Sequence, residues 1–182
     1  MGYAGFSDKG SVDIASILVG DWIELLAIVS SVDYQIGNVR DGALEVSREF
    51  YMHEDSQFPR LADKVFVVRA GFRFTGSIEE MNAQNISMLI GQTLGVGNTN
   101  YLYPGVLSAP SYFTLRGRRI RDDSFQMEFA IWKCLQVAAF QLAGGDEAVA
   151  SPFEAQGLDD SAGSNGGSES IPLGFIYAPS KT

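Results

Sequence analysis

Residues 64–91, KVFVVRAGFRFTGSIEEMNAQNISMLIG, constrain the fold more than any other stretch. Phe66, Val68, Ala70, Phe72 and Phe74 fall on one side of a period-two pattern. Val65, Val67, Arg69, Gly71, Arg73 and Thr75 fall on the other, as in a half-buried strand. Ser77 followed by Glu80 has the spacing of a capping box, in which hydroxyl and carboxylate each satisfy an orphan N–H at a helix start. Ile78, Met81, Asn85 and Leu89 then recur at spacings of three and four, and Gly91 is placed to stop the helix. A long strand running into one short helix points to a mainly-β fold.

Strand patterns recur elsewhere: 42–51, with Leu44, Val46 and Phe50 against Glu45, Ser47 and Glu49, then 112–119, 124–132, 134–142 and 171–177. IASILV, residues 14–19, is able to pair if a partner edge is available. Several short alternating strands around one helix predict an antiparallel β-sandwich or barrel flanked by that helix. Twenty glycines and twelve phenylalanines suit such a turn-rich sheet. No boundary divides residues 1–182, and a chain of 182 residues forms one domain burying roughly 70% of its extended surface. Within it, residues 1–20 read as an N-terminal arm. Residues 52–63 form a connection longer than a hairpin needs, and the Gly/Ser-rich 157–170 reads as a flexible loop. Residues 91–110 are cut by glycine and proline into an irregular connection.

Catalytic chemistry is poorly represented. His53 and Cys134 are each the sole residue of their kind, so a nucleophile pair would need a tertiary coincidence, and a Cys/His zinc site lacks ligands. Asp122–Asp123 and Asp159–Asp160 read as charged turns, without the ligand spacing of a calcium loop. GQTLGVGNT matches no phosphate-binding fingerprint. The net charge of −9 argues against ordinary nucleic-acid binding, which needs basic patches. Arg116 and Arg118 share a strand face and read as partners for acidic groups across a subunit interface, or as a solvated strand end. The apolar run WIELLAIV (22–29) is too short to span a bilayer, and Asp8 and Asp13 oppose a secretion signal. We therefore expect a non-enzymatic protein made in the cytoplasm, with no cofactor, no metal and no membrane partner.

Four stretches, GSVDIASILVG (10–20), GALEVSREF (42–50), VFVVRAGFRFTGSIEEMNAQNISMLIG (65–91) and PLGFIYAP (172–179), resemble the bacteriophage tail tube, or major tail, protein family. The middle one carries most of the likeness: a long strand passes into a helix with an acidic start, Asn-rich positions and an aliphatic end, here Glu79, Glu80, Asn82, Asn85, Ile86, Leu89 and Ile90. FTLRGRRIRDDSFQMEFAIWKCLQV resembles that family's second-half hairpin. The resemblance implies a β-sandwich flanked by a helix, six copies of which form a ring whose inner strands join into one barrel. Stacked rings then make a hollow conduit for DNA ejection, in a virion tail built in the host bacterial cytoplasm. Its partners would be other copies, a tape-measure protein inside, and tail-tip and terminator proteins at the ends, while DNA passes without specific binding.

Carried onto this chain, contacts between rings would come from residues 1–20, 52–63 and 171–182, with Tyr3, Phe6, Phe58 and Pro59 as anchors. Glu45, Glu49 and Glu128 on polar strand faces would line the lumen and repel DNA, although Arg69 and Arg73 complicate a simple acidic wall. A terminator or head-to-tail adaptor that forms a single ring is one alternative, and a monomeric β-sandwich binding module is another.

Overall fold

The computed structural model describes residues 24–37, 39–54, 62–91, 111–120, 126–142 and 150–178. Eight strands and one helix follow in the order β1 (Glu24–Val29), β2 (Val32–Gln35), β3 (Val39–Glu54), β4 (Ala62–Ile78), α1 (Ala83–Leu89), β5 (Phe113–Ile120), β6 (Gln126–Gln136), β7 (Ser151–Gly157) and β8 (Gly174–Tyr177). The fold is thus mainly β with one short helix, as the alternation requires. All pairings are antiparallel and belong to one sheet, ordered β2-β1-β5-β6-β7-β4-β3, with β8 beside the first half of β6.

Chain connectivity forces this sheet to roll. Only residues 36–38 separate the end of β2 from the start of β3, and four steps of chain reach at most about 14 Å. Laid flat, β2 and β3 would sit six strand spacings apart, or about 29 Å. The two ends of the path therefore curl toward each other. Leu25, Leu115, Phe129, Ile131, Phe153, Phe74 and Val39, from six different strands, meet in one buried cluster. At its centre Phe74 stacks on Phe129 with centroids 5.4 Å apart, and Phe72 meets the same ring edge-on at 6.4 Å.

The helix lies against this core through Met88 and Leu89, but it starts later than the capping box suggests. Ser77 belongs to β4, which runs on to Ile78, and the cap is Asn82, whose side chain accepts a 2.8 Å bond from the Asn85 N–H. Ladder hydrogen bonds to β3 and β7 outcompete a local cap here. Asn85, buried, donates to the carbonyls of Ile36 at 2.6 Å and Glu80 at 2.7 Å, tying the helix to the β2–β3 connection. The helix ends as expected: Gly91 has φ +74° and its N–H reaches the Met88 carbonyl.

Several expectations from sequence need correction. The two strands read at 124–132 and 134–142 are one, β6, which ends at Gln136. It carries an irregularity opposite Phe113 and Leu115, where the pleat shifts and the alternation breaks. β8 begins at Gly174, later than 171. β1, β2 and β7 were not foreseen. The β1–β2 turn uses Ser30 and Ser31 at φ +49° and +65°, conformations that Asn-Gly usually marks. In β7, Pro152 argues against a central strand, yet the β6 ladder covers only Ala155, Gln156 and Gly157, so Pro152 faces no β6 partner.

Candidate assembly surface

The sheet outruns its core. β3 and β4 stay paired from Val39↔Ile78 out to Glu54↔Ala62, but β4 meets β7 only from Arg73 to Ile78. Beyond that point the pair continues alone as a two-stranded ribbon, and every described side chain from Lys64 to Ala70 is exposed. Among the described residues no strand borders the outer edge of β3, or the second edge of β4 from Ala62 to Phe72. Long unpaired apolar edges of this kind are normally covered or charged in natural sheets.

The side chains on the ribbon are not sorted as the alternation of residues 64–76 alone implies. Val46 opposes Phe72, and Phe50 opposes Val67: four residues along β3 match five along β4. A bulge in β4 near Val68 absorbs the extra residue and reverses the alternation beyond it. Val65 and Val67 thereby join the face that holds Phe72 and Phe74 in the core, and Phe66 leaves it. The core-side face continues outward as a stripe of Val46, Phe50, Val67, Met52 and Val65, all half-exposed or more and interrupted by Arg48 opposite Ala70, while Tyr51 and Phe66 lie exposed on the opposite face. Phe66 and Val68, read from sequence as inward-facing, are solvent-exposed because no core lies beneath them. Phe72 and Phe74, on the same side of that alternation, are buried.

The face turned away from the core carries Glu45, Glu49, Lys64, Arg69 and Arg73, while Arg48 lies on the core side. Arg73 donates to Glu45 through Nη2 at 2.6 Å and Nε at 2.8 Å, and its Nη1 reaches Glu154 on β7 at 3.3 Å. The bond to Glu45, reinforced by that carboxylate's charge, pushes the Arg73 pKa above its already high ordinary value. Glu49 opposes Arg69 in the ladder. On the same outward face, over β5 and β6, Arg118 bonds Glu128 at 3.0 Å, and Arg116 joins both, with Asp33, around a hollow of about 220 Å³.

Glu45, Glu49 and Glu128 thus occupy polar strand faces as expected, but not as an acidic wall. Each stands against an arginine of the neighbouring strand, because cross-strand pairing brings opposite charges together. Arg116 and Arg118 lie on one strand face, and Arg118 bonds Glu128 of the neighbouring strand. Tyr3, Phe6, Phe58 and Pro59, residues 14–19 and most of the 52–63 connection lie outside the described residues.

Beside the ribbon's base a groove of about 670 Å³ runs between Glu49, Arg69 and Arg73 on one wall and Gln156, Asp159 and Leu173 on the other. Asp159 in that second wall belongs to the Gly/Ser-rich segment, whose composition conceals a hydrogen-bonded scaffold. Buried Asp160 accepts bonds from the backbone N–H groups of Asn165 and Gly167, both at 2.9 Å, and from the Asn165 side chain at 3.2 Å. Burial would raise its pKa, but these donors outweigh burial and hold the carboxyl below its ordinary value. Gly166 lies flat against Trp132, which also contacts Phe175 at 5.3 Å, so the segment covers β6.

The residues considered for catalysis do not converge. Cys134 is fully buried in the core, burial pushes its thiol pKa far up, and the S–H donates to the Ile131 carbonyl. His53 stands on the ribbon opposite Lys64. Among the described residues no group of three His, Cys, Asp or Glu side chains is arranged to hold a metal ion, and no helix is long and apolar enough to cross a membrane. No protein-family model and no curated protein matches this chain.

Proposed function

We propose that this protein is a non-enzymatic structural subunit of the phage tail-tube kind, whose copies close into hexameric rings and stack into a hollow conduit for DNA in the virion tail. The observation that carries the reading is the β3–β4 ribbon: two free edges and an apolar stripe that no part of the described chain covers. A monomer leaving these groups in water invites edge-to-edge association, and a closed ring of copies removes every such edge. The charged face, opposite the core, is turned to the channel. There Glu45, Glu49 and Glu154 stand beside Arg69 and Arg73, so phosphates meet arginines already neighboured by carboxylates, and the counterion release that drives DNA binding is weak. A tape-measure protein would occupy the same channel during assembly, with tail-tip and terminator proteins at the ends.

Electron microscopy of the purified chain at high concentration, with and without preformed tail tips as initiators, tests this. Rings or hollow tubes with a stain-filled channel support it, and single rings that never stack favour a terminator or head-to-tail adaptor. Compact monomers under both conditions would overturn it and favour a monomeric binding module.

A further inference from the structure

Of the six asparagines in the chain only Asn165 is followed by glycine, and it is one that helps to hold the buried Asp160. Its side-chain N–H donates to the Asp160 carboxylate at 3.2 Å, and its backbone N–H and that of Gly167 donate to the same carboxylate at 2.9 Å. Between those two backbone donors, the Gly166 N–H has no hydrogen-bond partner among the described residues. Asn165 and Gly166 are both exposed to water. We propose that Asn165–Gly166 is a self-modification site, where the asparagine loses its amide through a cyclic imide and thereby loosens the segment that covers Trp132.

The chemistry requires only water. The Gly166 nitrogen gives its proton to water and attacks the side-chain carbonyl carbon of Asn165. The bond from that carbon to the amide nitrogen breaks, ammonia leaves with a proton taken from water, and a five-membered imide remains. Glycine favours the attack because no side chain crowds its nitrogen. Here, moreover, no protein hydrogen bond has to break to free that nitrogen. Water then opens the imide at one of its two carbonyls. Attack at the side-chain carbon gives aspartate, and attack at the main-chain carbon gives isoaspartate, whose backbone runs through Cβ.

Both products undo the hold on Asp160. Asn165 offers it a neutral donor, whereas either product sets a second carboxylate beside it, and like charges that close repel. Isoaspartate also lengthens the backbone by one methylene just before Gly166, which lies flat on Trp132, and Gly167, whose N–H binds Asp160. Two further bonds tie this segment down, from the Asp160 N–H to the Pro172 carbonyl and from the Trp132 N–H to the Leu173 carbonyl. Displacing Asp160 therefore passes the loosening toward the start of β8. The change accumulates with time in each single copy, whether or not copies assemble, so older copies carry a looser cover.

Ageing the purified chain in mildly alkaline buffer, with peptide mapping by mass spectrometry at intervals, tests the site. Asn165 is expected to convert to aspartate and isoaspartate before any other asparagine, and Asn165→Gln to yield no matching acidic peptide. Hydrogen exchange tests the consequence, with Asn165→Asp standing for the first product. Its Asn165→Asp and Gly167 amides are expected to exchange at least about fivefold faster than in the unaltered chain, and its Tm to fall by roughly 2–4 °C. Asn165→Ser, which removes the side-chain amide without adding charge, is expected to lie between the two. Asn165 keeping its amide while other asparagines convert, or converting only in guanidinium, would overturn the proposal. So would Asn165→Asp exchanging and melting like the unaltered chain.

Discussion

Phe50 and Phe74 lie on the same face of the β3–β4 pair, yet their substitution should have opposite consequences. Phe74 is 0% exposed and stacked on Phe129, whereas Phe50 is 51% exposed on the ribbon. An aromatic side chain buries roughly 200 Å², so Phe50 leaves about 100 Å² for a partner to cover. At ~25 cal/mol per Å² that is about 2.5 kcal/mol per contact, or roughly 70-fold in affinity. Phe50→Ser should therefore raise the concentration threshold for assembly by up to about 70-fold, read by sedimentation velocity. Monomer stability should change by no more than about 1 kcal/mol, which is ~2–4 °C in Tm for a chain of this size. Phe74→Ala should instead cost about 3–5 kcal/mol of folding and lower Tm by roughly 10 °C or more. An assembly threshold unmoved by Phe50→Ser, together with a Tm loss matching that of Phe74→Ala, would refute the division of this face into a core part and an assembly part.

Asp160→Asn replaces a carboxylate that accepts three bonds with an amide unable to accept them all, and should cost about 2 kcal/mol, or ~4–8 °C in Tm, near neutral pH. Because the folded carboxyl titrates below its unfolded value of about 4, its contribution is complete above that value and fades as pH falls through the folded pKa. The gap between the unaltered chain and the Asn variant should accordingly narrow in melts below about pH 4. Gly117→Ala would drive a Cβ into the Phe129 ring, which Phe74 and Phe72 hold in place, and should cost about 1–3 kcal/mol by urea denaturation. Cys134 should resist a thiol reagent under native conditions and react promptly in guanidinium; rapid native labelling would contradict its burial.

The mainly-β class and the long strand through Phe72 and Phe74 were legible because period-two alternation reports a sheet with one face on a core. So was the stop at Gly91, where glycine suits the left-handed backbone. Three elements escaped for physical reasons. Ser30 and Ser31 form a tight turn without the residues that usually mark one, so β1 read only as part of the apolar run 22–29 and β2 not at all. Pro152 masked β7, although only part of that strand has a second neighbour. Ser77 and Glu80 imitate a helix cap, but the sheet claims Ser77 and Glu80 lies beside Gly37.

For the candidate site, the polar faces of Glu45, Glu49 and Glu128 were legible from alternation, but their arginine partners were not. Pairing across strands depends on register, which a single strand's pattern does not contain. The bulge near Val68 was invisible for the same reason, and with it the movement of Val65 and Val67 onto the apolar stripe. The Gly/Ser-rich composition of 157–170 gave no sign that one buried carboxylate organises it, because hydrogen bonding to Asp160 uses backbone N–H groups that every residue but proline supplies.

The most direct test of the ribbon's role is to remove it and weigh what remains. Joining Arg48 to Ala70 through a two-residue Asn-Gly turn deletes the outer ribbon and keeps the core strands paired. Sedimentation velocity of this variant beside the unaltered chain, both with preformed tail tips present, should show a folded monomer in the first case and rings or tubes in the second. Rings or tubes from the trimmed chain at the same concentration would contradict the account, because assembly would then proceed without the surface assigned to it.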